Sequence, residues 1–464
     1  MRRIITTLLL VAVVMSLFGS CAKGTGVSGG NPALGTSGWE SEPGNTAEGK
    51  KITVLFTVTD GGRFSHQERF DSASRILAEA YGIEVERYQV PGYEEITDFF
   101  ESPDSPVSRV VYFDKLYAEI MAGRGPDVYL FGSMGVFHDL PKKMDAGAFY
   151  DLNEFIEKDN DFDITEYEEI LMNEGVYKGK RFVFPLTYSV TALLISREKF
   201  ETLGLSAEDY STYERFISTW EDIQRTDNLR MFADSMSGWK LFVISRGWLE
   251  ECVDYESGTT DFDTPSFRRV VELLQEEYRL ENHSEPLFEF ESFPDGLFYT
   301  PSFITLLFSS LYPIDANDIM LLPIPNASGN STARIMECCM ISSSAKDPEA
   351  AWLFVKAMMS DECQREMMSH VFNNNITTKS AFIDEDIETK LSSYPIYDPR
   401  YMYDDAVVAM IKEWYHGYDN AVIPYGTGRD LYLNISGYIE SDEEQDFDRF
   451  KNELENYYEV YLSE

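Results

Sequence analysis

The chain has 464 residues, 44% hydrophobic and 14% aromatic, which is enough apolar material to fill large cores and argues against disorder over most of its length. Lys and Arg number 39 against 80 Asp and Glu, a formal net charge of −41. A surface that negative repels phosphate backbones and anionic headgroups, so nucleic acid and polybasic membrane contact are excluded as partners, while neutral solutes, cations and proteins remain. The length suits two to three domains of about 150 residues, or two large lobes.

Arg2 and Arg3 precede an apolar stretch from Ile4 to Phe18 that is short for a membrane span of about 20 residues, and residues 1–20 read as an export signal. The stretch closes on Leu17-Phe18-Gly19-Ser20-Cys21. This resembles a bacterial lipobox, with Phe18 where Leu is usual, and implies that Cys21 is acylated and becomes the new N-terminus. An ordinary secretory signal with a chance cysteine is the alternative. Residues 21–50 are rich in Gly, Ser, Thr, Asn and Pro and read as a flexible tether. The expected location is outside the cell, lipid-anchored to the outer face of the membrane. Cys252, Cys338, Cys339 and Cys363 are expected to be buried free thiols, since neighbouring Cys338 and Cys339 in a strand point to opposite faces.

The body opens on a strand, Lys51 to Val58, ended by Thr59-Asp60-Gly61-Gly62. Phe70, Ala73, Leu77 and Ala80 at helical spacing predict a helix from Gln67 to Tyr81, stopped at Gly82. A second strand follows from Ile83 to Val90, a helix from Asp114 to Ala122, and a third strand from Asp127 to Gly132. This alternation predicts a parallel α/β sheet, whose ligands bind beyond the carboxyl ends of the strands. A second α/β unit begins near Lys180, with apolar runs 181–186 and 191–195 split by Thr187-Tyr188-Ser189. Residues 206–285 are helix-rich, and 319–323 and 334–341 are strand candidates. Asp347 caps a helix with Pro348 at its first position. Phe447, Phe450, Leu454 and Tyr457-Tyr458 give the C-terminal helix one apolar stripe.

Three segments together resemble the family 1 extracellular solute-binding proteins of bacterial ABC importers. They are Asp114 to Tyr129, with its Gly-Arg-Gly-Pro-Asp-Val turn and strand; Tyr177 to Phe200; and Ser344 to Lys356, with Lys346-Asp-Pro-Glu-Ala-Ala-Trp352. The resemblance implies a two-lobed fold of the periplasmic-binding-protein type II class, each lobe a mixed, mostly parallel sheet flanked by helices. Lobe 1 is expected at 51–185 and 327–365, lobe 2 at 186–326 and 366–464, joined by a hinge. It also implies a monomer that captures a solute, foremost a carbohydrate, between the lobes and delivers it to permease subunits.

Sugar-binding members of that family stack aromatic rings on pyranose faces and hydrogen-bond hydroxyls with planar polar groups. By position the candidates are Asp60, Ser133, Tyr188, Trp239, Tyr299, Phe303 and Glu337, with Tyr188 foremost because it falls between two runs at the interlobe face. For each the competing reading is a core or surface residue, most strongly for Phe303 in its apolar run.

Asp159-Asn-Asp-Phe-Asp-Ile-Thr165 has the acidic spacing of a calcium loop but Ile164 and Ile170 where Gly and Glu are required, and reads as a capping loop. The five histidines form no metal motif, and no GxSxG elbow or P-loop occurs. No metal, cofactor or enzymatic activity is therefore expected. A sensory protein that presents its solute to a receptor kinase and a surface glycan hydrolase are the alternatives.

Overall fold

The computed structural model describes residues 50–56, 63–91, 109–132, 140–227, 230–232, 252–280, 296–298, 318–325, 331–369, 375–393, 403–423, 426–441 and 446–463. The signal, the tether and Cys21 lie outside the described residues.

The first sheet grows from the alternation read in the sequence. β1 (Lys51–Phe56) leads to α1 (Arg63–Tyr81), β2 (Glu84–Arg87), α2 (Arg109–Met121) and β3 (Val128–Gly132). β1 lies between β2 and β3 and is parallel to both. The two helices stop where a residue with positive φ is needed, at Gly82 (φ 65°) and Gly123 (φ 71°), a conformation that costs glycine little. Asp127 fixes the edge of this layer, its carboxylate accepting from Thr53 N at 2.7 Å and from Lys346 N at 2.9 Å.

Next come α3 (Leu140–Asp145), α4 (Asn153–Ile156), α5 (Glu169–Glu174), the hairpin β4 (Val176–Tyr177) and β5 (Lys180–Arg181), then β6 (Phe184–Val190) and β7 (Ala192–Ser196). The apolar runs read as separate are one strand up to Val190. Thr187 and Ser189 do not break it, because the strand is buried on both faces and Thr187 finds a polar partner there. The chain then forms α6 (Arg197–Thr202), α7 (Tyr213–Asp227), β8 (Arg230–Phe232), the hairpin β9 (Val253–Asp254) and β10 (Thr259–Thr260), α8 (Pro265–Leu280), β11 (Gly296–Phe298) and β12 (Ile319–Pro323). β13 (Thr332–Ile341) returns to the first sheet, followed by α9 (Pro348–Met359), α10 (Asp361–Ser369), β14 (Ile376–Thr377), α11 (Ile383–Ser393), α12 (Asp405–His416), β15 (Asn420–Val422), α13 (Gly426–Ile439) and α14 (Phe447–Ser463). The predicted cap on α9 is present, Asp347 accepting from Ala350 N at 2.9 Å.

β13 is the long strand of the molecule. Its carboxyl half pairs antiparallel with β3, its amino end pairs parallel with β15, and along its other edge it pairs antiparallel with β6. The order of the first sheet is β14-β6-β13-β3-β1-β2, with β15 on β13. A second assembly holds the antiparallel pair β7 and β12 and the parallel pair β8 and β11. Its core is built on Phe216, Trp220, Val271, Leu274, Ile435 and Leu454. The chain passes between the two assemblies three times, through Thr191, between β12 and β13, and between β15 and α13.

The assemblies divide the chain differently from the expected boundaries. First-sheet pairing continues to Val190 rather than ending near 185. Residues 366–464, expected in lobe 2, divide: α10 packs on α1, β14 pairs with β6 and β15 with β13, while α12 reaches both β6 and β12. α13 and α14 alone of this region fill the second core, with Phe447, Phe450, Leu454 and Tyr458 turned inward and Tyr457 exposed. The four described cysteines are free and buried, and burial pushes the Cys338 thiol up to about 12.

Candidate functional site

β1 and β3 are parallel, Phe56 at the end of β1 pairing with Leu130, and β3 runs on to Gly132, so the mouth of this sheet lies at these carboxyl ends, just before Asp60 and Ser133 in the sequence. Those two, with Trp239, Tyr299 and Phe303, lie outside the described residues. The remaining candidates, Tyr188 on β6 and Glu337 on β13, both sit on the paired strands that lead from one assembly to the other.

Glu337 faces Gly132 on one side and Thr187 on the other, at two register shifts that leave Met336 and Leu186 without a partner residue. Bulges of this kind bend strands and re-aim side chains beside functional sites. Here the Glu337 carboxylate is 1% exposed and accepts from Arg69 Nη2 of α1 and from Thr187 Oγ1, both at 3.1 Å. Arg69 is fully buried, and its Nε and Nη1 find no hydrogen-bond acceptor among the described residues. Glu337 is therefore a strut behind the mouth, pairing a charge that would otherwise be stranded in the core.

A second polar group is buried close by. Asp386 and Lys390, one turn apart on α11, form an ion pair, with Asp386 also accepting from Thr377 N at 2.9 Å and Lys390 donating to Asn375 O at 2.7 Å. Burial lowers the Lys390 pKa, against the pull of Asp386. Sequence reading missed Arg69, Asp386 and Lys390. Arg69 sits among polar residues of its helix and carries no local signal, and an i, i+4 acid–lysine pair such as Asp386 and Lys390 is more often a surface feature.

Tyr188 requires correction as the foremost solute contact. It lies within β6 rather than between two runs, it is fully buried, and its ring is packed by Tyr415 at 5.7 Å and Tyr418 at 5.3 Å between centroids. Its hydroxyl donates to Tyr415 O at 3.2 Å, and burial raises its pKa so that it stays a donor. No face of this ring is open to a solute.

The acidic run 159–165 holds no cation site. Asp159 is buried against the Lys356 ammonium at 2.9 Å and accepts from Trp352 Nε1 at 2.9 Å, so a lysine occupies the place a metal would take. Asp163 caps the short helix that follows, as read from the sequence, accepting from Thr165 N at 2.9 Å. Among the described residues no cluster of His, Cys, Asp and Glu could hold a metal, and no helix is long and apolar enough to cross a membrane.

No family model matches the chain, and no curated protein matches it by sequence. Solved structures do match by fold. An ABC substrate-binding protein of Listeria monocytogenes in complex with cycloalternan is 14% identical with a TM-score of 0.54, covering 89% of this chain and 99% of its own. A solute-binding protein of Thermotoga lettingae bound with α-D-tagatose is 16% identical with a TM-score of 0.53, covering 89% and 100%. A cyclic α-maltosyl-1,6-maltose binding protein of Arthrobacter globiformis is 13% identical with a TM-score of 0.56, covering 89% and 98%. These neighbours are binding proteins, and they match nearly end to end. The two assemblies are thus two lobes, and the chain has the two-lobed α/β fold of the extracellular solute-binding proteins of ABC transporters.

Proposed function

We propose that this protein captures a carbohydrate between its lobes and delivers it to an ABC permease, held beside the membrane by acylated Cys21 and the tether of residues 21–50. The observation that carries the reading is the pair of crossings, β6 into β7 and β12 into β13, made by strands that are paired with one another, with a third crossing between β15 and α13. Connections of this kind allow two lobes to close on each other, and closure needs only a ligand that favours the closed state. Structural neighbours bound to a cycloalternan and to tagatose support a sugar as that ligand.

Asp60, Ser133, Trp239, Tyr299 and Phe303 remain the candidate solute contacts, with Glu337 supporting the mouth from behind. Lobe 1 comprises 51–190 with 331–423, and lobe 2 comprises 192–325 with 426–463. A tether raises the concentration of the loaded receptor at a membrane partner.

A thermal-shift screen of the chain from residue 50 onward, against mono- and oligosaccharides, peptides, polyamines and metal ions, tests this. A sugar at about a thousandfold its Kd stabilises by roughly 4 kcal/mol. A shift confined to one sugar series fixes the ligand class. A shift with another class alone overturns the carbohydrate assignment, and no shift with anything overturns the receptor reading.

A further inference from the structure

The sequence carries 80 acidic residues against 39 Lys and Arg, so a cation that finds no acid to pair with is unexpected in this chain. Arg87 is such a cation. It is the last residue of β2, it is half-buried, and among the described residues its guanidinium has no carboxylate partner. The acids on the elements beside it are committed elsewhere. Glu86 points to the other face of the strand and pairs with Lys51, Glu119 pairs with Lys115 at 3.2 Å and Arg124 at 2.8 Å, and Asp114 acts on Lys143. Burial lowers the Arg87 pKa, while Tyr112 acts the other way, so the fold bears a partly desolvated charge without the carboxylate that ordinarily offsets it.

The direction of this side chain sets what it can reach. Arg87 pairs with Val54 in the register of β1, yet its guanidinium stands 4.3 Å over the ring of Phe56, two residues nearer the carboxyl end. The side chain therefore leans along the sheet to the end of β1, one of the strands that form the mouth. Phe56 is itself packed on Phe70, at 5.1 Å between centroids, and so is a fixed platform. An arginine stacked on an aromatic ring uses its face for the stack and keeps the N–H groups around its edge, the fork that donates two parallel bonds to a carboxylate. Neighbouring strands are about 4.8 Å apart, so a sugar seated at the ends of β1 and β3 lies within reach of that edge.

Charge decides which anion suits it. A phosphate group carries close to two charges at neutral pH, more than one guanidinium can match in a protein already at −41. A carboxylate is matched one to one. The distant surface acids do not cancel a contact made at hydrogen-bond distance, because the Debye length at physiological ionic strength is about 8 Å.

We infer that Arg87 is a solute contact whose guanidinium binds a carboxylate on the sugar, which makes this a receptor for oligosaccharides containing uronic acid. The inference rests on the solute-capture reading above and narrows its substrate class.

Calorimetry on the mature chain, on Arg87→Met and on Arg87→Lys tests it, with trigalacturonate, trimannuronate, their methyl esters and neutral maltotriose as probes. At least one of the two acids is expected to bind the parent, and its methyl ester about ten- to a hundredfold more weakly. Arg87→Met is expected to weaken the acid by a similar factor and to leave the ester unchanged, since both changes remove the same charge-assisted bonds. Arg87→Lys keeps the charge without the fork and falls between. Melting temperatures without sugar check that the variants fold; should they not, the acid and ester comparison on the parent decides alone. Acid and ester binding alike, or Arg87→Met binding the acid as the parent does, overturns the assignment. If maltotriose binds and neither acid does, the uronate class is overturned while the sugar receptor stands, and if no probe binds, both fall.

Discussion

Replacing Glu337 separates the two roles open to it. As a solute ligand it would be exposed in the mouth, and Glu337→Gln would weaken binding with little effect on folding. In the structure it is 1% exposed, and its carboxylate is the only anionic partner of Arg69 among the described residues, at 3.1 Å. The substitution keeps the shape and the acceptor for Thr187 but removes the charge, leaving a fully buried guanidinium whose Nε and Nη1 already lack partners. Stranding one member of a buried pair costs about 3–5 kcal/mol, against about 1 kcal/mol for a single neutral hydrogen bond.

The pair itself has a different worth. Two charges taken out of water recover much of their solvation cost from each other but seldom more, so Arg69→Met/Glu337→Leu should fold nearly as stably as the parent. The assay is a double-mutant cycle by urea unfolding on the chain from residue 50 onward: both single variants fall by about 3 kcal/mol or more and the double recovers most of the loss. A loss below about 1 kcal/mol for Glu337→Gln, or a double variant no better than the singles, refutes the strut.

Glu277 organises the second core in the same way. It is fully buried and accepts from Trp220 Nε1, Gln224 Nε2, Met231 N and Phe232 N at 2.8–3.1 Å, so Glu277→Ala strands four donors and should cost at least about 4 kcal/mol by urea unfolding. Lys143 is 2% exposed, lies 4.5 Å over the Tyr117 ring, and burial lowers its pKa to about 8 in spite of Asp114. Its folded pKa is below the unfolded value of 10.5, so the unfolded chain holds the extra proton between them and stability rises as pH climbs from about 8 to 10.5. Lys143→Met should abolish that rise, which a melting series across this window reads directly.

The parts of this fold that were legible in the sequence are those whose cause is local. β1 through β3 with their helices follow from alternation, helical spacing and glycine stops at 82 and 123, and the start of α9 follows from Asp347 and Pro348. What escaped depends on partners far along the chain. Thr187 looked like part of a break between two runs because its partner, Glu337, is 150 positions away. Asp159 looked solvated because Lys356 is 197 positions away. Tyr188 looked like a contact at the interlobe face because it falls between two apolar runs, and only the packing of Tyr415 and Tyr418 shows that its face is closed. The division of residues 366–463 between lobes is likewise invisible locally, since α10 and α14 are both amphipathic and pattern does not name the core that receives them.

These buried partners bear on how two lobes can move. Bending between them must be taken up by a few residues, and a paired strand bends where its pairing is weakest. Along β6 and β13 the pairing is reinforced from both sides: Arg69 and Thr187 fix Glu337 beside the register shifts, and Tyr415 holds the Tyr188 hydroxyl. That reinforcement reaches as far as Val190, which pairs with Ala333. The next residue, Thr191, stands between β6 and β7 and belongs to neither ladder, and the return crossing between β12 and β13 lies beside it. On these two crossings the step between the ladders is therefore the least reinforced, and the buried polar partners of β6 and β13 mark where the strand pairing is firmest.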